Sequence, residues 1–208
     1  MVCKSQEPYI LTISKINDDS NNKYLNTKKN NTKKNTFSPL SGSELEYNPK
    51  LWNANYSIKN SHNCYSYALG KIVKELDYKA QPGYASGFEH ISNNDFTCSS
   101  FKKRLIKDSP GSYTESFDNK CLPGFYKIFL ALDIAEDYHW WQQNKNGYWS
   151  HKPGSTDVIN IDASGEKIIN PVKSNRNFSH RNYKTPCFYA CVYSDLSRSL
   201  DSIYNIHL

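Results

Sequence analysis

The sequence predicts an α+β domain in which helices precede an antiparallel sheet. Three observations carry this expectation. Two helix-spaced apolar segments stand near 64–75, after the polar run Asn60 to Asn63, and near 95–107, where Asn94 and Asp95 can cap a helix. "FYKIFLALDI" (125–134) is almost continuously apolar. Two aromatic runs, "DYHWWQQ" and "GYWSH", flank "NKNG" (144–147). Helical texture followed by strand texture, without alternation, marks the α+β class.

Each element follows in chain order. The folded domain is expected over 41–208, its first ordered stretch lying near "SELEYNPKLWN" (43–53). "NSHNCYSYALGK" (60–71) reads as a helix start with Cys64 in its first turn, running to about Val73 or Glu75. "KAQPGYASG" (79–87), with its proline and two glycines, is a loop. Asn94 and Asp95 can cap a helix over 95–107 with Phe96, Phe101 and Leu105 on its apolar face. Residues 108–124 form a long loop, and 125–134 a central strand buried on both faces. The two aromatic runs make a hairpin. "DVINIDASGEKIIN" (157–170) contains a strand, a turn at Ser164–Gly165 and a short strand. A polar crossover (170–186) leads to a last buried strand, "CFYACVY" (187–193).

Residues 1–40 read as a flexible tail. Positions 16–36 hold seven Asn and five Lys but only Ile16, Tyr24 and Leu25 as large apolar groups. Such a stretch cannot bury enough surface to offset its ordering entropy. The first 36 residues carry seven Lys against three acids, +4 of the +6 total, so the domain holds +2. That excludes the basic stripe of a nucleic-acid binder. No apolar run reaches membrane-spanning length. "PYILTIS" (8–14) is too short for a signal-peptide core, so the expected location is cytoplasmic, or exported by a signal-independent route. An Asn- and Lys-rich chain of this kind fits a translocated effector or a viral protein. Six cysteines match no zinc-module spacing. Cys187 and Cys191, four apart on a strand, would lie ~13 Å from each other, too far to bridge. Most of the six are expected to be reduced, buried and inert.

The chemistry centres on Cys64. A helix N-terminus favours a thiolate, and a nearby imidazole would favour it further. His139 and His151 stand on the two arms of the hairpin. If Lys145, Asn146 and Gly147 form a three-residue turn, Asn144 pairs with Tyr148 and Trp141 faces His151. His139 and His151 then become diagonal neighbours on one face. A two-residue turn would separate them. Asp162, on the next strand, is an alternative orienting group for the imidazole, and Asn170 a weaker one. Trp140, Trp141 and Trp149 are either core or walls of a cleft for a peptide or sugar. A zinc site from His139, His151 and a cysteine or Asp162 is a rival reading, and a non-catalytic aromatic binding module another.

A cysteine opening a helix, a strand histidine, and a second histidine twelve residues on across a hairpin resemble the NlpC-type papain-like peptidases. "NCYSYA" is more similar to the nucleophile helix of the related CHAP amidases. The chain departs from the family in Trp140–Trp141 after the first histidine, in Asn63-Cys64-Tyr65-Ser66 where Asp-Cys-Ser-Gly is usual, and in a longer gap from Cys64 to His139. The resemblance implies a papain-like α+β fold with Cys64 as nucleophile, His139 as general base and acid, and His151 as orienting group. It implies a thiol-dependent peptidase or amidase acting through a thioester. The Cys64 backbone N–H, with a polar group from Ser61, His62 or Asn63, would hold the oxyanion. Acyl transfer to an amine uses the same residues. No metal or organic cofactor is required. The expected partner is a peptide, isopeptide or peptidoglycan-type amide, and the expected state a monomer.

Overall fold

Short helices with side-chain caps open the described chain. The computed structural model describes residues 36–72, 79–134 and 136–194; the expected tail up to residue 35 and the end of the chain after 194 lie outside this range. Helix α1 (Pro49–Asn53) is capped by the Asn48 side chain, with proline at its first position where no N–H is needed. In α2 (Tyr56–Ser61) the Asn55 side chain accepts from the N–H groups of Ser57 and Ile58. Helix α3 (Cys64–Ala68) starts with a reciprocal capping box between Asn63 and Ser66. Three asparagines, Asn48, Asn55 and Asn63, thus serve here as helix starts.

Helix α3 ends earlier than its apolar spacing suggested, because the chain turns at Gly70 (φ +64°). A Cβ there would lie 2.4 Å from Leu45 Cδ1, so glycine is needed for both conformation and space. The expected extension toward Val73 or Glu75 falls largely outside the described residues. A 3₁₀ turn (Asn93–Asp95) precedes α4 (Cys98–Asp108), whose cap is Thr97. Asp95 was expected to cap this helix; its carboxylate instead accepts from Ser92 and pairs with Arg104.

The sheet contains β1 (Tyr113–Glu115), β2 (Phe125–Asp133), β3 (Asp137–Gln143) and β4 (Trp149–His151). A separate two-stranded hairpin joins β5 (Asn177–Phe178) to β6 (Arg181–Asn182), and β7 (Thr185–Tyr193) closes the described chain. The main sheet is antiparallel throughout, in the order β1-β7-β2-β3-β4. The α+β class is therefore as expected. Strand β1 was missed, lying in what reads as a loop. The stretch 157–170 was expected to hold strands and instead makes isolated bridges, His151 to Ile159 and Ile161 to Lys167.

Strand β2 is central and buried on both faces, as its apolar run requires. Tyr126, Ile128, Leu130 and Leu132 meet Tyr65, Ala68, Phe101 and Leu105 from the helices. Phe129 and Ala131 point the other way, onto Trp141, Trp149, Ile168 and Tyr183. The folded body also reaches back past the expected boundary at 41. Ser38 is buried and donates to the Phe117 carbonyl, and the Gln143 side-chain amide donates to the Ser38 carbonyl.

The cysteine expectation is corrected. Four of the six form disulfides, Cys98–Cys187 and Cys121–Cys191, with Cα atoms 5.2 and 5.7 Å apart. Cys187 and Cys191 do not bridge each other, as strand geometry requires. Each fastens β7 to a distant segment. Cys64 is the free cysteine among the described residues.

Candidate functional site

The hairpin takes the register that brings the histidines together. The Gly147 N–H donates to the Asn144 carbonyl, the Asn144 N–H donates to that of Tyr148, and Gly147 has φ +86°. Trp141 then faces His151. His139 Nε2 lies 2.8 Å from His151 Nδ1, and His151 Nε2 lies 3.0 Å from the Ile161 carbonyl. Both rings are at most 2% exposed. His139 also stacks on Tyr183, centroids 5.0 Å apart.

This chain of contacts assigns the protons. A carbonyl only accepts, so His151 Nε2 carries hydrogen. Burial pushes the His151 ring down to about 4, with the Ile161 carbonyl and the Asp162 charge acting the other way. The ring is therefore neutral at pH 7 and its Nδ1 is bare. His139 Nε2 must then be the donor between them. Burial, and next the His151 ring, hold His139 well below the usual imidazole range, so it too is neutral. Its Nδ1 is left as a bare acceptor, with no hydrogen-bond partner among the described residues.

Cys64 reaches the same place from the helices. Strand β4 pairs with Trp141, Gln142 and Gln143, leaving the first half of β3 unpaired on that side. The thiol sits on this open backbone edge, its sulfur 3.9 Å from the Tyr138 carbonyl. Cys64 and His139 border one cavity of about 350 Å³, with Asp137, Tyr138 and Tyr183 beside them. The expected low-pKa thiolate is corrected. Burial pushes the Cys64 thiol up to about 12, a shift that the Trp140 backbone N–H only partly offsets. At pH 7 the cavity holds a neutral thiol and a neutral imidazole.

The opposite rim is the 79–96 loop, built onto α4 by a buried charge, Arg104, and a half-buried one, Asp108. The Arg104 guanidinium donates to the carbonyls of Pro82 and Glu89 and pairs with Asp95 at 3.1 Å. Asp108 accepts from the Gly83 N–H, the Ser86 hydroxyl and the Tyr65 hydroxyl. A second buried charge holds the wall that contains Gly154. Lys152 is 0% exposed, and its ammonium donates to the carbonyls of Lys59, Gly154 and Thr156. No sequence pattern announces these residues: isolated charges in loops and helices look the same buried or solvated.

Other expected site residues fall elsewhere. Asp162 does not orient an imidazole. Its carboxylate accepts from the N–H groups of Ser164, Glu166 and Asn175, closing a turn on the rim of a different pocket. Asn170 accepts from the Tyr189 hydroxyl. Trp140, Trp141 and Trp149 are fully buried, the first among the helix-side core and the others on the opposite face, so none walls the cavity. The rings that do are Phe96, Tyr138 and Tyr183. Ser61, His62 and Asn63 are committed to local hydrogen bonds, Asn63 as the α3 cap. The zinc alternative lacks ligands, because no group of three or more His, Cys, Asp or Glu suited to a metal occurs among the described residues.

Fold and site together define a disulfide-fastened α+β domain with a cysteine–histidine–histidine cluster at an open strand edge. Over 131 residues the chain is 34% identical to insoluble matrix shell protein 1 of Ruditapes philippinarum, an alignment covering 62% of this chain and 80% of that protein. The chain belongs to the family of that matrix protein. No family model matches it, and no solved structure matches it. The membership overturns the thiol-hydrolase expectation. The relative is named as a matrix protein, not as a peptidase or amidase.

Proposed function

We propose that this chain is a secreted structural protein of an insoluble extracellular matrix. The observation that carries this reading is the 34% identity to a protein named for an insoluble matrix. The two disulfides support it, because such bonds form and persist in oxidising compartments. They also disfavour the cytoplasmic alternative. Among the described residues no helix is long and apolar enough to cross a membrane.

The scaffold itself is, in this reading, a papain-like arrangement serving a structural role. What supports this is the placement of Cys64 at a helix start against the strand of His139, with His151 behind it. Fractionation of the source tissue tests the proposal. The protein is expected in the extracellular fraction that resists salt and detergent, with both disulfides oxidised. Recovery of reduced protein from the cytosol would overturn it.

A further inference from the structure

We infer that Cys64 is the covalent attachment point of this protein, forming a mixed disulfide with a disulfide-bearing matrix partner seated in the Cys64–His139 cavity. The inference rests on the matrix reading, which supplies such partners.

Three features lead to it. Cys64 is unpaired in a domain whose other described cysteines are all bonded to each other. An unpaired cysteine in a chain built for an oxidising compartment points to intermolecular pairing or to a reactive thiol. Cys64 is buried, yet it lines a cavity of about 350 Å³. Finally, the same cavity is bordered by a side chain that the fold leaves unpartnered. His139 is 2% exposed, and the relay through His151 to the Ile161 carbonyl fixes its Nδ1 as a bare base. A buried imidazole nitrogen with a lone pair and no acceptor duty inside the protein is placed for a proton from outside its own network.

The step balances without any oxidant. The thiol proton passes to His139 Nδ1. The Cys64 sulfur attacks one sulfur of the partner disulfide, forming a new S–S bond as the partner's S–S bond breaks. The leaving sulfur departs as thiolate and takes the proton from His139. One disulfide is consumed and one is formed, and the product thiol is free. With thiol and imidazole both neutral at rest, a disulfide that stays outside the cavity finds little thiolate, and only one that enters it meets the thiol beside a base. Exchange therefore depends on a partner held in the cavity long enough for proton transfer.

The test uses the full chain with Cys3→Ser, which leaves Cys64 as its single free thiol. The probe is glutathione disulfide at neutral pH, with the adduct located by peptide mapping. A single glutathione on Cys64 of the folded protein is expected. His139→Gln is expected to slow its formation at least about tenfold, as loss of a general base does. Because that variant could unfold, the parent's rate is also followed against pH and in guanidinium. Modification only after unfolding, or equal rates with and without His139, would overturn the inference. So would a native Cys3–Cys64 bond in the unmutated chain. The matrix reading is separable. If Cys64→Ser protein still partitions into the insoluble fraction as tightly as the parent, the linkage fails while the matrix role stands.

Discussion

The two edges of the main sheet are held by different chemistry. On the β1–β7 side the fastening is covalent: Cys121–Cys191 and Cys98–Cys187 both end on β7. On the β3–β4 side it is a set of buried polar contacts. His139 bonds to His151, Ser150 to Asn144 and Tyr67, and Lys152 to three carbonyls. A covalent fastening acts mainly on the unfolded chain and does not care about pH. A buried polar one is worth little net when complete and costs heavily when one partner is lost. The difference teaches that the edge bearing the cavity is the condition-sensitive one.

The largest effect should come from the covalent edge. Cys191→Ser and Cys187→Ser are each expected to lower unfolding free energy by roughly 4 kcal/mol, since the closed loops are long. Urea titration with and without reductant checks this. If both variants match the oxidised parent, the covalent side of the comparison is wrong. Next comes Lys152→Met, which keeps volume but strips three carbonyls of their donor. A loss of about 3 kcal/mol is expected. An unchanged denaturation midpoint would mean that water replaces the ammonium freely.

Acid should separate the edges further. Both histidines have folded-state values depressed by burial, so the unfolded chain binds more protons below its ordinary imidazole value. Stability is then complete above about pH 6.5 and falls as pH drops toward the His151 value, which burial lowers to about 4. Between pH 7 and 5 the His151 contribution alone is about 2 kcal/mol. A flat stability profile over that window would show that the pair is hydrated. The smallest effect belongs to the exposed tip of the same hairpin. The Lys145–Glu46 pair at 3.1 Å is mostly solvated, so Lys145→Ala should change stability by less than about 0.5 kcal/mol.

What the sequence disclosed was local. The apolar run at 125–134 announced β2, and "NKNG" with its late glycine announced the turn that places Trp141 opposite His151. The polar run 60–63 before the apolar spacing announced the start of α3. What it hid was non-local. The disulfide partners are 89 and 70 residues apart, and no spacing rule links such positions. Burial of three tryptophans depends on how two sheet faces are covered, which the hairpin alone cannot specify. The thiol's environment was misjudged for a similar reason. A helix start favours the thiolate locally, but the surrounding strand edge and core remove the water that a charge needs. Function was hidden most deeply, because Cys64 and His139 border one cavity and His139 bonds to His151 while the family is that of a matrix protein.

Strand β7 lies between β1 and β2, yet it is the last strand of the described chain. During synthesis the ribosome therefore delivers a sheet with its middle missing. Until residues 185–193 arrive, β2 has an open edge, and Cys98 and Cys121 have no partners. Pairing β7 then closes loops of many tens of residues, the kind of non-local step that makes folding slow. A chain stopped before residue 185 would not be a slightly shorter version of this domain. It would be an unclosed sheet with two waiting thiols, a form suited to pairing with other chains instead of with itself.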